Sequence, residues 1–151
     1  MGNYWIVVGG PENFEIARER GFDMFGFKST RRREAAEMRP GDKLIFYLTG
    51  VMKLGGIADV TSEYFEDHSK VFGSKKKPNE DYPFRVRTKP DLILEPGDYL
   101  DVREVGPMLE FTKRLPPEHW RLAFQGNLHL VPHADYDFIR TQMEQAVGAK
   151  A

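Results

Sequence analysis

A run of aromatic and basic residues near the N-terminus contains the side chains best suited to recognition chemistry. Three phenylalanines come directly before a lysine, two hydroxyl residues and three arginines: Phe22, Phe25, Phe27, Lys28, Ser29, Thr30, Arg31, Arg32 and Arg33. An unstacked base gains about 1–3 kcal/mol by stacking on an aromatic face, and it also needs hydrogen-bonding groups at its edge and cations near its phosphates. These residue types therefore predict capture of a single nucleobase. The same pattern is also typical of phenylalanines that only fill a barrel core.

Other binding and catalytic chemistry finds little support in the sequence. Gly9 and Gly10 follow a predicted strand, but neither G-x-x-x-x-G-K-[S/T] nor G-x-G-x-x-G occurs, which favours a simple turn over a phosphate loop. His129 and His133 are four residues apart, but Pro132 prevents the continuous helix that would place both on one face. No G-x-S-x-G nucleophile elbow occurs. The sequence thus predicts no cofactor and no metal site.

Composition and charge limit the class of protein. The 151 residues are 40% hydrophobic and contain no cysteine, which predicts one globular domain over residues 1–151 without disulfides or thiolate zinc sites. The net charge is −1, from 22 basic and 23 acidic residues, so any phosphate contact must be local. No apolar run is long enough to cross a bilayer, and from residues 1–5 we expect no secretion signal. We expect a cytoplasmic monomer that contacts no membrane.

Hydrophobic periodicity predicts strands joined by short helices. Strands are predicted at residues 4–8, 43–49, 54–60, 83–89, 92–94 and 128–131, and helices at 12–20, 31–38 and 135–146. Residues 22–28 show no clear period and are expected to form a loop, and 147–151 to fray. In 83–89 the alternation predicts that Arg85, Arg87 and Lys89 share a wet face. Such scattered strands favour a small mixed α/β barrel of about five to six strands, surrounded by short helices, over a doubly wound parallel sheet.

Several strings, in this order along the chain, resemble the prokaryotic branch of the EVE domain family. They are Tyr4-Trp5-Ile6-Val7-Val8, Arg39-Pro40-Gly41-Asp42, Leu44-Ile45-Phe46-Tyr47, Gly56-Ile57-Ala58-Asp59-Val60 and Tyr82-Pro83-Phe84-Arg85-Val86-Arg87. The resemblance spans nearly the whole chain and rests on the order of the motifs more than on any one string. It implies a PUA-like fold related to YTH and ASCH domains. It also implies a pocket that in relatives receives a modified base, such as a methylated cytosine or adenine.

The resemblance further implies which residues form that pocket. Where many relatives have a K-S-E-P-like string after the first strand, this chain has Gly9-Gly10-Pro11, and where other branches have the tryptophan of W-D-G it has Phe25 or Phe27. The implied base-pocket residues are Gly9, Gly10, Pro11, Phe25, Phe27, Lys28, Ser29, Tyr47 and Thr49. Phosphate contacts are expected from Arg31, Arg32, Arg33, Lys53, Arg85 and Arg87.

Two classes of function are compatible with these residues. The first is a non-enzymatic module whose partner is a nucleic acid, DNA or RNA, from which it captures a modified base. The second is a hydrolase of acylated pyrimidine nucleosides, because ASCH relatives of that kind use a lysine, a threonine and a glutamate. Lys28, Thr30 and Glu34 supply these types close together, but the hydrolase requires Glu34 to turn inward as its acid. The residue types favour the binding module.

Overall fold

One curved sheet forms the centre of the computed structural model, which describes residues 2–74 and 76–148. Its strands are β1 (Tyr4–Gly9), β2 (Met24–Phe27), β3 (Lys43–Leu48), β4 (Lys53–Val60), β5 (Phe65–Glu66), β6 (Phe84–Ile93), β7 (Leu100–Asp101) and β8 (Leu128–Val131). The main path runs β2-β6-β4-β3-β1-β8, while β5 pairs with β6 and β7 with β4. A six-stranded path of mixed direction confirms the predicted small mixed barrel.

Short helices surround this sheet. They are α1 (Pro11–Glu19), α2 (Arg32–Glu37), α3 (Val102–Val105), α4 (Glu110–Lys113) and α5 (His133–Gly148). Turns of 3-10 helix lie at Ser29–Arg31, Pro96–Asp98, Gly106–Met108 and Pro117–Phe124. Across the described ranges, no helix has the length and apolar character needed to cross a membrane. The tail predicted at 147–151 overlaps the end of α5, and its residues 149–151 lie outside the described residues.

The first strand is central because it pairs on both sides. β1 runs parallel to β3, with Tyr4 opposite Lys43 and Gly9 opposite Leu48, and antiparallel to β8. Its side chains alternate between two cores. Trp5 and Val7 pack on one face of the sheet, and Ile6 and Val8 pack on the other. Both faces are therefore covered, which explains the continuous apolar run at the N-terminus. Because β1 and β3 are parallel, their carboxyl ends lie at the same edge of the sheet.

Residues 22–28 form a strand where the sequence predicts a loop. β2 pairs antiparallel with β6, with Phe25 opposite Val86. All four of its residues are buried, so the sequence shows no alternation of apolar and polar residues from which a strand could be recognised. The two segments predicted at 83–89 and 92–94 also differ from expectation, because they form the single strand β6.

Arg85 is only 1% exposed, so the prediction that it lies on a wet face is wrong. Its guanidinium donates hydrogen bonds to the Tyr82 carbonyl at 3.1 Å and to the Ser69 hydroxyl at 2.9 Å, and it lies 3.5 Å from a carboxylate oxygen of Asp67. Burial lowers the pKa of Arg85. The segment that follows β5 covers this position of β6, whereas Arg87, two residues further on, is exposed as predicted.

Asp42 connects the start of β1 to the turn before β3, and its removal should destabilise the fold. Its buried carboxylate accepts hydrogen bonds from the backbone N–H of Asn3 at 2.8 Å, the indole of Trp5 at 3.0 Å and the N–H of Arg39 at 3.2 Å. In Asp42→Ala these donors lose their acceptor, so we expect the free energy of unfolding, measured in urea, to fall by about 3 kcal/mol.

The matched control is Asp137→Ala, which removes an exposed carboxylate from α5. It should change the free energy of unfolding by less than about 0.5 kcal/mol. Equal losses in the two variants would contradict the role given to Asp42.

Candidate functional site

An open cleft of about 720 Å³ lies at the edge of the sheet where β1 and β3 end. Its volume falls within the ~300–1,000 Å³ typical of small-ligand sites. Its lining residues are Val8, Gly9, Gly10, Pro11, Glu12, Asn13, Lys28, Thr49, Gly50, Gly73, Ser74, Lys76, Tyr82, Phe124, Gly126 and Asn127. The structure thus brings together five residues of the predicted base pocket: Gly9, Gly10, Pro11, Lys28 and Thr49.

The turn from β1 into α1 forms one side of the cleft. The Gly9 carbonyl accepts hydrogen bonds from the N–H of Thr49 at 2.8 Å and from its hydroxyl at 3.3 Å. A Cβ on Gly9 would meet no atom within 4 Å, so the space beside its backbone is open. Gly10 precedes α1, and Pro11 occupies the first turn, where a missing N–H costs no helical hydrogen bond. The first turn of α1 therefore lies beside this open space.

Asn13 connects α1 to the opposite wall of the cleft, the segment 73–82, of which residues 73–74 and 76–82 are described. Its side chain is buried, and its Oδ1 accepts a hydrogen bond from the Gly73 N–H at 2.9 Å. Burial raises the pKa of Tyr82, and a hydrogen bond from the Asn13 side chain opposes that rise. Asn13 is not among the residues predicted from the sequence. Its position four residues before the buried Ala17 places both on one face of α1, which is the signal that could have revealed it.

Charged contacts also hold the wall formed by the segment 73–82. The Lys28 ammonium lies 3.6 Å from an oxygen of Glu80. The imidazole of His68 contacts Glu66 at 2.6 Å through Nε2 and contacts Asp81 through Nδ1. These contacts connect the segment 73–82 to the end of β2 and to β5, so the cleft has a wall of fixed position on this side.

The rings that line the cleft differ from the two that the resemblance implies. Phe25 and Phe27 are buried in the core with their ring centroids 5.8 Å apart, and Phe25 also packs 5.2 Å from Phe72. The hollow beside Phe25 measures about 10 Å³, which is room for one water at most. The cleft instead presents Tyr82 and Phe124. Both are distant in sequence from Phe25, and no local pattern marks them.

Tyr47 and Ser29 support the cleft without lining it. The Tyr47 ring stacks on Phe124 with centroids 4.9 Å apart and an interplanar angle of 27°, so it holds that ring from behind. Burial raises the pKa of Tyr47. The Ser29 N–H donates to the Asp81 carbonyl at 3.2 Å, which adds another contact between the end of β2 and the segment 73–82.

Arg31 is close to the cleft, whereas its two neighbours lie on the surface. Arg31 Nε donates to Asn127 Oδ1 at 3.1 Å, and its terminal nitrogen lies 3.8 Å from Glu34. The arginine therefore positions Asn127, a lining residue that the sequence analysis did not identify. Arg32 and Arg33 are exposed at the start of α2.

The other expected phosphate contacts already have protein partners. Lys53 lies 3.7 Å from a carboxylate oxygen of Asp101, at the start of β4. The Arg87 guanidinium lies 5.0 Å from the centre of the Phe65 ring, so it is exposed but stacked. Arg85 is buried, with its guanidinium bound inside the protein. Lys53, Arg85 and Arg87 are absent from the cleft lining.

The contacts of the three residues required by the hydrolase alternative do not form a catalytic group. The Lys28 ammonium faces Glu80, the Glu34 carboxylate faces Arg31, and Thr30 is exposed on a 3-10 turn. Among residues 2–74 and 76–148, no group of three or more acidic or histidine side chains is arranged to hold a metal ion.

A mixed half-barrel with a cleft at the ends of its parallel strands defines the class of fold to which this chain belongs. The EVE domain family model matches residues 3–142, so the chain belongs to the EVE domain family. The family resemblance seen in the sequence is confirmed.

Relatives and solved structures agree with this assignment. The chain is 29% identical over 146 residues to the UPF0310 protein PH1033 of Pyrococcus horikoshii, covering 90% of this chain and 95% of the relative. It is 28% identical over 148 residues to the UPF0310 protein PYRAB08750 of Pyrococcus abyssi, covering 92% and 98%.

Similar solved structures include complexes with RNA. The complex of the YTH domain-containing protein mmi1 with RNA superimposes with a TM-score of 0.70, covering 99% of this chain and 85% of that chain at 12% identity. The YTH domain of Zygosaccharomyces rouxii MRB1, in complex with N6-methyladenosine RNA, has a TM-score of 0.64, covering 94% and 86% at 13% identity. At these identities the likeness shows a shared fold.

Two histidines near the cleft should titrate in opposite directions. Hydrogen bonds to Glu66 and Asp81 raise the pKa of His68, whereas burial lowers the pKa of His129. A raised folded-state pKa means that the His68 contacts stabilise the fold fully below the unfolded pKa of about 6.5, and that this contribution is lost as the pH rises through the folded pKa. An NMR titration of the imidazole protons should therefore give His68 the higher pKa.

The variant Asp81→Asn tests whether the contact with Asp81 raises the pKa of His68. It removes a charged acceptor from His68, so the pKa of His68 should fall while that of His129 stays unchanged. A pKa of His129 above that of His68 in the unaltered protein would contradict the contacts described.

Proposed function

We propose that this chain is a non-catalytic module that binds a nucleic-acid strand and takes one modified base into the cleft at the end of β1. The observation that carries the proposal is the composition of the cleft walls. Tyr82, the largely buried Phe124 and Lys28 line one open space next to the half-buried Gly9. Flat rings, hydrogen-bonding groups and a cation are what a single extruded base and its phosphate require.

The expected contributions to the binding free energy favour binding through the base over binding through charge alone. The net charge of −1 gives the protein no general attraction for phosphates, so affinity must come from a local site. Stacking of a base on an aromatic ring contributes about 1–3 kcal/mol, and a few hydrogen bonds at the base edge add to it. Lys28 and the exposed Arg32 and Arg33 supply positive charge for the strand on either side of the base.

The RNA complexes of the two YTH domains support this proposal. Both proteins share the fold of this chain over nearly its whole length, and the ligand of one is RNA that contains N6-methyladenosine. Whether the strand is RNA or DNA is decided by contacts to the 2′-hydroxyl. We propose RNA as the first ligand to test.

The proposed binding predicts that a ring at position 82 is needed, whereas its hydroxyl is not. Tyr82→Leu removes the stacking surface and should weaken binding of single-stranded RNA by about tenfold or more, whereas Tyr82→Phe should bind within about threefold of the unaltered protein. Fluorescence anisotropy with short labelled strands at low salt measures both. The strands carry one central base, either unmodified or methylated, and the methylated ones should bind more tightly.

Thermal unfolding of both variants verifies that the wall formed by residues 73–82 remains folded, because Tyr82 also contacts Asn13. Equal affinity of the leucine and phenylalanine variants would contradict base stacking at Tyr82. A complete lack of binding to every strand at low salt would contradict the proposed function.

A separate assay distinguishes the binding module from the hydrolase alternative. The pairing of Lys28 with Glu80, and of Glu34 with Arg31, leaves no acid–base pair between Lys28 and Glu34. We therefore expect no turnover of N4-acylcytidine by the unaltered protein or by Lys28→Ala. Hydrolysis by the unaltered protein that is lost in Lys28→Ala would establish the enzyme instead.

A further inference from the structure

A carboxylate lies inside the cleft, at the start of α1. Glu12 is the second residue of this helix and lines the cleft with Gly10. A Cβ built on Gly10 would lie 2.9 Å from both Cδ and Oε1 of Glu12 and 3.0 Å from its other oxygen. Those distances are shorter than van der Waals contact, so the carboxylate occupies space that any other residue at position 10 would fill. The glycine therefore permits this placement of the Glu12 side chain.

Glu12 and Tyr82 line the same cleft. The charge of Glu12 contributes to raising the pKa of Tyr82, after the larger effects of burial and of Glu80. An acceptor with two oxygens thus belongs to a residue that lines the same cleft as Tyr82.

The base-binding function proposed above is the premise of a more specific inference. We propose that Glu12 selects a guanine-type base by accepting hydrogen bonds from both its N1–H and its N2 amino group. Guanine presents two adjacent donors on its Watson–Crick edge, and a carboxylate has two acceptor oxygens at matching separation. Adenine and cytosine each present one donor beside an acceptor. Uracil presents one donor between two carbonyl oxygens, which repel a carboxylate.

The remaining atoms of guanine suit the same cleft. The O6 acceptor adjoins N1–H, and two residues that line the cleft, Lys28 and Lys76, have ammonium groups that can donate a hydrogen bond. A methyl group at N7 leaves N1–H and the amino group in place. The donor edge is therefore compatible with a modified base, provided that the modification lies elsewhere on the ring.

Changing the central base of the strand, and changing the Glu12 carboxylate to an amide, tests whether Glu12 selects guanine. The probes are labelled nonamers of uridine with one central guanosine, inosine, adenosine, cytidine or uridine, measured by anisotropy at one low salt concentration. Guanosine should bind most tightly. Inosine, which lacks only the N2 amino group, should bind about tenfold more weakly, because one charge-assisted hydrogen bond is lost. In Glu12→Gln, guanosine should lose about tenfold and adenosine or cytidine should equal or exceed it, because an amide offers one donor and one acceptor.

The matched control is Glu19→Gln, which makes the same charge change at the exposed end of α1, outside the cleft. It should leave the order of the bases unchanged. If the unaltered protein binds the strands without preferring guanosine, or if Glu12→Gln keeps that preference, the selection by Glu12 is wrong while the proposed function stands. If no strand binds at all, the proposed function fails, and this inference fails with it.

Discussion

The parallel pairing of β1 with β3 is the constraint on which the candidate site depends. It brings the carboxyl ends of two central strands to one edge of the sheet, where the Thr49 N–H donates to the Gly9 carbonyl at 2.8 Å. The chain then turns at Gly10 into α1, so the first turn of that helix lies beside the open edge. The nearby rings of Phe25 and Phe27 pack inside the barrel and do not line this edge. Polar contacts hold the walls instead, which leaves the cleft open to solvent.

Much of the fold could be predicted because it depends on local patterns. The continuous apolar run of β1, the turn before β3 and the breaks at Gly and Pro mark their elements directly. β2 was missed because all of its residues are buried, which removes the alternation that identifies a strand. Arg85 was placed on the wrong face because the Asp67–Ser69 segment that covers it follows a different strand. Alternation reports which residues share a face, but it does not report what covers that face.

The site could be predicted only where it is built from the ends of strands. Gly9 and Lys28 are among the predicted residues that line the cleft; Gly9 ends β1, and Lys28 directly follows β2. Tyr82 is far in sequence from Phe124 and Asn127, and only the closure of the barrel brings their two segments to the same cleft. Such residues carry no spacing signal relative to one another. The aromatic wall was therefore assigned to rings that are near in sequence, although the structure uses those rings as core.

The central claim is that one base of a nucleic-acid strand enters the cleft between the end of β1 and the segment 73–82. Intermolecular NOEs between the base protons of a bound strand and the protein test it most directly. We expect NOEs from one base to the ring protons of Tyr82 and to the amide protons of Gly9 and Gly10, and NOEs from sugar protons to residues at the start of α2. NOEs confined to other surfaces, such as the exposed side chains of Leu122 and Leu130, would contradict it.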